Sequence, residues 1–460
     1  MTVDLAIRGG TLVTPGGLWP RTLLVRDGRI TGIAAPDQGV DAGQVIDATG
    51  RHVLPGIIDI HCHIRAPAYP QRGSVGSETA ACAAGGITTV FEMPITNPCC
   101  NTPDQVTMRR DHFAASAHVD FGLYAAPLTL TQAAVDALAA TGIVAFKLFT
   151  TPAPVGREAE FAGLAWPDAA DLYRALCLIA RTGLPVVVHA ENAEILARAE
   201  ADAQALDPAD ARTHGASRPP LAEAMAVAQL LSMNITAGAR LHIAHVTSAA
   251  TVDILRRFAG SSDFTAETCP HYLRYTEADV ARVGVAARIN PPIRHAADRE
   301  ALWAAIADGT INHVTTDHAA FAAAEKQAHA GNFLTAPPGH PGTECMLPAM
   351  LDAVQAGRLT LARAVELLSG NAAARFGLPA KGRLEAGGVA DVIIVDLTTE
   401  THVTEAGLLT AARANAALSL GERFRGRLMQ TLLAGQTVWQ DGRLTGTPGA
   451  GRFVTPKGQT

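Results

Sequence analysis

Leu54-Pro55-Gly56-Ile57-Ile58-Asp59-Ile60-His61-Cys62-His63 is the stretch on which the fold of this chain turns. From position 57 it is an apolar run of strand length that stays apolar almost to its end, as a strand covered on both faces of a parallel sheet must. Side chains alternate across a strand, so His61 and His63 point to one face and Cys62 to the other. Two imidazoles side by side at the end of a buried strand form a metal clamp. Taken alone, such a pair is more often a hydrogen-bonded couple than a ligand pair, so its company has to decide.

Working outward, seven further runs of the same texture cover 87–93, 119–125, 143–149, 185–190, 241–245, 264–267 and 312–316, the last only weakly apolar. Helix-length amphipathic stretches such as 169–182 and 221–233 separate most neighbours. Eight βα units predict an α/β chain built on a closed (β/α)8 TIM-type barrel, with its site at the C-terminal mouths of the strands. The two ends of the chain read differently. Residues 3–53 are short alternating strands broken at Gly9-Gly10, Gly16-Gly17 and Asp27-Gly28, and the same texture returns after Gly382 with a turn at Asp441-Gly442. Both termini are therefore expected to fold together into one small β-sandwich: 1–53 as its N-terminal part, 54–380 as the barrel, and 381–460 as its C-terminal part and tail.

Composition narrows the function classes. The 460 residues are 48% hydrophobic and 17% charged, and 37 basic against 43 acidic residues leave a net charge of −6 with no basic cluster. That excludes the electrostatic footprint of a nucleic-acid or anionic-membrane binder and leaves small molecules as partners. No apolar run reaches the ~18 residues of a membrane span. Asp4 stands where a signal peptide would be basic, and seven cysteines without a C-x-x-C pair suit reduced thiols, so a cytoplasmic protein is expected.

Four other strand ends carry chemistry. Lys147 sits within Ala145-Phe146-Lys147-Leu148-Phe149, where desolvation favours the neutral amine, unless the side chain reaches along the barrel end to water. His189 and His245 close the fifth and sixth runs, and each alone could be a core histidine bonded to a carbonyl. Asp317, in Thr315-Thr316-Asp317-His318, has no basic neighbour in sequence, and an unpaired buried carboxylate is costly enough to suggest a metal or a catalytic task. Five strands that each end on His, Lys or Asp are not independent accidents. Nitrogen and carboxylate donors without thiolate suit Zn2+, with Mn2+, Fe2+ and Co2+ also open.

With these residues in place the sequence resembles the amidohydrolase superfamily, and within it the cyclic amidohydrolases: dihydroorotases, allantoinases, hydantoinases and dihydropyrimidinases. The likeness runs from Gly28-Arg29-Ile30 through 54–63 and GGITTVFEMP at 85–94 to VADVIIVDL at 389–397. It implies two divalent metal ions: His61 and His63 on the first with Asp317, His189 and His245 on the second, and Lys147 as a carbamate bridging both. It further implies a shared hydroxide attacking a ring carbonyl, Asp317 as general base and then acid, and a homo-oligomer, dimer or tetramer, acting on a small cyclic amide. All six ligand positions are filled, which weighs against a non-catalytic scaffold relative.

The resemblance reads the ring as dihydroorotase-like first. Arg65 stands where dihydroorotases fork an arginine onto the substrate carboxylate, and Asn290-Pro291-Pro292-Ile293-Arg294 is similar to a segment of dihydroorotases and allantoinases. The alternatives are an allantoinase, a hydantoinase or dihydropyrimidinase, or a cyclic imide hydrolase. Ile95 and Phe321 replace two polar substrate contacts, and His189-Ala190-Glu191-Asn192 looks more like allantoinase and hydantoinase. Arg65, Asn290, Ile95 and Phe321 are thus the expected substrate contacts. If no substrate carboxylate answers Arg65, a nearby acid such as Glu78 or Glu92 is its expected partner.

Overall fold

Seven parallel strands follow one another in chain order around the barrel: Ile57–His63, Ile87–Glu92, Asp120–Ala125, Ala145–Phe149, Pro185–His189, Arg240–Ile243 and Phe264–Thr268. The structure is a computed structural model that describes residues 2–36 and 38–457. Every residue of the first five strands is buried, because helices cover one face and side chains fill the other. Phe146, Leu148, Val186 and Val188 pack in one core with the helix residues Leu172, Leu176 and Leu230, whereas Ala145 and Val187 join Phe91, Tyr124 and Phe376 in another. The same alternation turns Lys147 and His189 inward. The helix Ala169–Ala180 shows why the outer layer forms: Asp168 caps it, and Leu172, Ala175, Leu176 and Ile179 fall on one buried stripe.

The eighth position departs from the continuous strand expected over 312–316. His313–Val314 pairs with the seventh strand, and His318–Ala319 pairs with the first. One stretch of chain thus hydrogen-bonds both edges of the sheet and closes the barrel, with a break at 315–317. The break has a physical cause: Asp317 is held at φ 45°, a left-handed backbone that a ladder cannot continue. Asp59 of the first strand secures it, accepting from Thr316 N at 3.1 Å and Thr316 Oγ1 at 2.5 Å. The sixth strand also ends early, at Ile243, so that His245 lies just beyond it at φ 33°.

Both termini build the sandwich. A four-stranded sheet of N-terminal strands faces a seven-stranded sheet in which His52–Pro55 pairs antiparallel with Val392–His402. Leu5, Ile7, Leu23 and Val25 share a core with Val53, Val392, Ile394 and Leu432. The tail then leaves the sandwich for the barrel floor, where Phe121 N donates to Arg452 O and Val454 N to Phe121 O, both at 2.9 Å. All seven cysteines are free thiols. Among the described residues no helix is long and apolar enough to cross a membrane.

Candidate active site

The strand ends open onto a cavity of about 830 Å3 whose wall includes His61, His63, His189, His245 and Asp317. Asp317 Oδ1 lies 3.2 Å from Nε2 of both His61 and His63. His189 Nδ1 is 3.0 Å from His245 Nε2. His61, His245 and Asp317 offer ligand atoms all within 4.8 Å of one another. Lys147 is fully buried, with Nζ unpartnered and 5.2 Å from the centre of the Phe149 ring. The alternative of a lysine reaching to water is therefore not what the barrel holds.

Electrostatics sharpen the picture. Burial pushes His63 down to about 3 and carries His189 and His245 below the usual histidine range, so these rings offer lone pairs rather than positive charge. Burial alone would raise Asp317, but His61, His63 and His245 hold its carboxyl well below the ordinary value. Burial pushes the Lys147 ammonium down to about 8 against the pull of Glu267 and Asp317. His63 Nδ1, His245 Nδ1 and Lys147 Nζ are buried without a hydrogen-bond partner. Imidazole nitrogens converging on a carboxylate oxygen, beside a lysine whose ammonium burial weakens, are a donor set that fits divalent metal ions.

A supporting ring of residues was not singled out from sequence. Glu267 meets His61 Nδ1 with one oxygen and His242 Nε2 with the other at 3.0 Å, and it also accepts from His245 N at 3.2 Å. Glu191 meets His189 Nε2 at 2.8 Å and is itself paired with Arg218. Such partners fix the tautomer and tilt of a ligating imidazole. Glu267 closes the seventh predicted run, an ionisable strand end left out of the five named from sequence.

The four expected substrate contacts, Arg65, Ile95, Asn290 and Phe321, all lie on the wall of the same cavity. Ile95 packs with Phe149, Phe161 and Leu164 into an apolar side. Asn290 Oδ1 is buried without a partner. Arg65 is 5% exposed, its Nε and Nη1 are unpartnered, and its Cζ stands 4.8 Å over the Phe321 ring. Neither expected acid answers its guanidinium. Glu92 takes the main-chain N–H groups of Ile64 and Arg65, both at 2.8 Å, together with the Arg109 side chain. Glu78 is bound by His318, Thr410 and Ala411. Burial, together with Arg72 and Arg157, pushes Arg65 down to about 10.

Comparison with known proteins bears on the fold and the family. The chain is 37% identical over 457 residues to an allantoinase from Rubrobacter xylanophilus, covering 99% of this chain and 98% of the relative. It is 31% identical to a dihydroorotase from Pediococcus pentosaceus over 91% of this chain and 95% of that one. The solved L-hydantoinase (dihydropyrimidinase) from Arthrobacter aurescens superposes with a TM-score of 0.92 at 30% identity, covering 98% of this chain and 100% of the other. These likenesses move the expected ring away from the dihydroorotase reading and towards its allantoinase and hydantoinase alternatives. The pattern described as the amidohydrolase family matches residues 52–421, and the chain belongs to that family.

Proposed function

We propose that this enzyme hydrolyses a cyclic amide of the hydantoin type, the five-membered ureide ring present in allantoin. The observation that carries the reading is the cluster of His61, His63, His189, His245 and Asp317 at the head of one cavity, with an unpartnered Lys147 behind it. His61, His63 and Asp317 would hold one divalent ion and His189 and His245 a second, Zn2+ by donor type, with Lys147 as a carbamate between them. Bound there, a divalent metal polarises a carbonyl and lowers the pKa of water from 15.7 towards about 7.

The chain's own groups then divide the work. Asp317, poised as an ionised carboxylate, takes the proton of the attacking water and returns it to the ring nitrogen as the C–N bond breaks. Glu267 and Glu191 hold the imidazoles in place. Lys147, with its ammonium pushed down to about 8, keeps a minor fraction of neutral amine at physiological pH, and that amine can add to carbon dioxide and shed a proton to become the carbamate. Ile95 and Phe321 give the ring an apolar seat, which suits a neutral ureide better than a ring acid. Arg65, next to that seat, donates to a ring carbonyl.

Turnover of the zinc-loaded protein on hydantoin, allantoin, dihydrouracil and dihydroorotate tests the reading. Opening of the hydantoin rings with dihydroorotate far behind is expected; opening of dihydroorotate alone, or of none, would overturn it. The same reading places the enzyme in the cytoplasm as a dimer or tetramer, which sedimentation of the purified protein checks for assembly.

A further inference from the structure

Several arginines reach the cavity wall, and most carry their own acid. Arg72 is paired with Glu325 at 2.8 Å, Arg157 with Glu160 at 2.6 Å, and Arg218 with Glu191 and, at 3.1 Å, Glu200. Arg288 has none among the described residues. It is 8% exposed and lines the cavity. Nη1 donates to the Ala336 carbonyl, Nη2 reaches Leu334 O only at 3.4 Å, and Nε is buried without a partner. Burial and the neighbouring Arg218 push it down to about 9. Two positions on, Asn290 Oδ1 is also buried, unpartnered and on the same wall.

A desolvated donor and a desolvated acceptor on one wall call for a ligand that offers both an oxygen and an N–H, because leaving either unmet keeps its desolvation cost. The cavity, at about 830 Å3, is far roomier than a bare five-membered ring needs. We propose that Arg288, acting with Asn290, selects the substituent on the ring, and that this substituent carries both a carbonyl oxygen and an N–H, as a ureido or carboxamide group does. A carboxylate would satisfy Arg288 but offers no N–H to Asn290 Oδ1. The inference rests on the hydantoin-ring reading above and adds to it the residue that reads the substituent.

The test compares kcat/KM for allantoin, whose substituent is ureido, with 5-propylhydantoin and hydantoin-5-acetate, in wild type, Arg288→Met and Arg288→Lys. In wild type, allantoin should exceed 5-propylhydantoin at least tenfold, since a polar site discriminates strongly against an analogue lacking its hydrogen-bonding group. In Arg288→Met that ratio should collapse at least tenfold, mainly through KM, and in Arg288→Lys by less, because an ammonium keeps the charge without the fork. Equal wild-type values, or a ratio unmoved in Arg288→Met, overturns the proposal. So does an equal loss on both rings, which would make Arg288 a support for the loop at 334–336. Preference for hydantoin-5-acetate over allantoin replaces the ureido or carboxamide assignment with an acid. If Arg288→Met does not fold, the wild-type ratio and Arg288→Lys still decide. Failure to open any hydantoin strikes the ring reading itself, whereas opening all of them without preference strikes only this inference.

Discussion

Lys381 and Lys147 are both buried in this barrel, one at its floor and one on the strands leading to its mouth. Lys381 Nζ sits 2.7 Å from Asp120 and 2.5 Å from Asp391. Burial alone would lower its pKa, but the two carboxylates raise it above the usual lysine value. The clasp ties the third barrel strand to the segment that enters the sandwich. Lys147 is more deeply buried than Lys381 and meets no partner, so burial prevails and brings it down to about 8. Many of the other buried charges are paired, as in Arg109 with Glu92 and Arg218 with Glu191, whereas Arg65 and Arg288, both on the cavity wall, meet no acid among the described residues. Against that habit, an unanswered cation marks a place that something outside the polypeptide completes.

Removing each lysine should therefore break different properties. Lys147→Ala is expected to lower turnover by about 10³-fold or more while leaving the thermal stability of the metal-free protein unchanged or higher, since there it deletes a desolvated group without a partner. Short carboxylic acids should restore part of the activity by standing in for the carbamate. Full activity in the variant would make Lys147 a bystander and void the contrast. Lys381→Met should do the converse. It strands two buried carboxylates, costing about 3–5 kcal/mol in urea unfolding, and the folded fraction should keep its metal content. A stable Lys381→Met protein would mean that the floor clasp is idle.

Asp317→Asn sharpens the comparison within the mouth. It keeps the shape of a ligand but loses proton transfer, so turnover should fall by roughly 10²-fold with metal content only partly reduced. Elemental analysis alongside kinetics separates the two effects, and unchanged turnover removes Asp317 from the base role. In wild type the same analysis should find about two divalent ions per chain if the two proposed ligand sets are both filled, and a single ion would reduce the site to the cluster of His61, His245 and Asp317.

Much of this was readable from residues alone, for identifiable reasons. Buried parallel strands are continuous apolar runs and the helices between them are periodic, so the barrel stands out. Strict alternation put His61 and His63 on one face. The break in the eighth strand was not legible, because Thr315-Thr316-Asp317 contains neither Gly nor Pro. Its left-handed turn depends on Asp59, 257 positions away. Glu191 and Glu267 were passed over because their role is to orient histidines, a relation that exists only in three dimensions. On the ring, Arg65 weighed more than Ile95 and Phe321, and the two apolar replacements were the better guide. An arginine beside the clamp is compatible with many rings, whereas an apolar seat disfavours a charged one.

The smallest expected effect concerns Glu344, a half-buried acid outside the mouth with no basic partner among the described residues. Among the described residues its carboxylate accepts from the main-chain N–H groups of Leu409, at 2.8 Å, and Thr410, at 3.1 Å. Burial outweighs those bonds and raises it to about 7 from an ordinary value of 4.5. The sign of the linkage follows. Above pH 7 both folded and unfolded chains carry the charge, and the folded one bears its desolvation. Between 7 and 4.5 the folded chain keeps a proton that the unfolded chain has shed, so this group's contribution to stability improves as pH falls through that window. Glu344→Gln cannot titrate and should lose that response. Urea midpoints at pH 8 and pH 5, under equal metal loading, should show wild type gaining about 1–2 kcal/mol more than the variant on acidification. Titrations common to both proteins cancel in this difference. An identical pH response would mean that Glu344 ionises freely in the fold, and that an unanswered buried charge in this chain need not leave a thermodynamic trace, which would weaken the inference drawn from Lys147 as well.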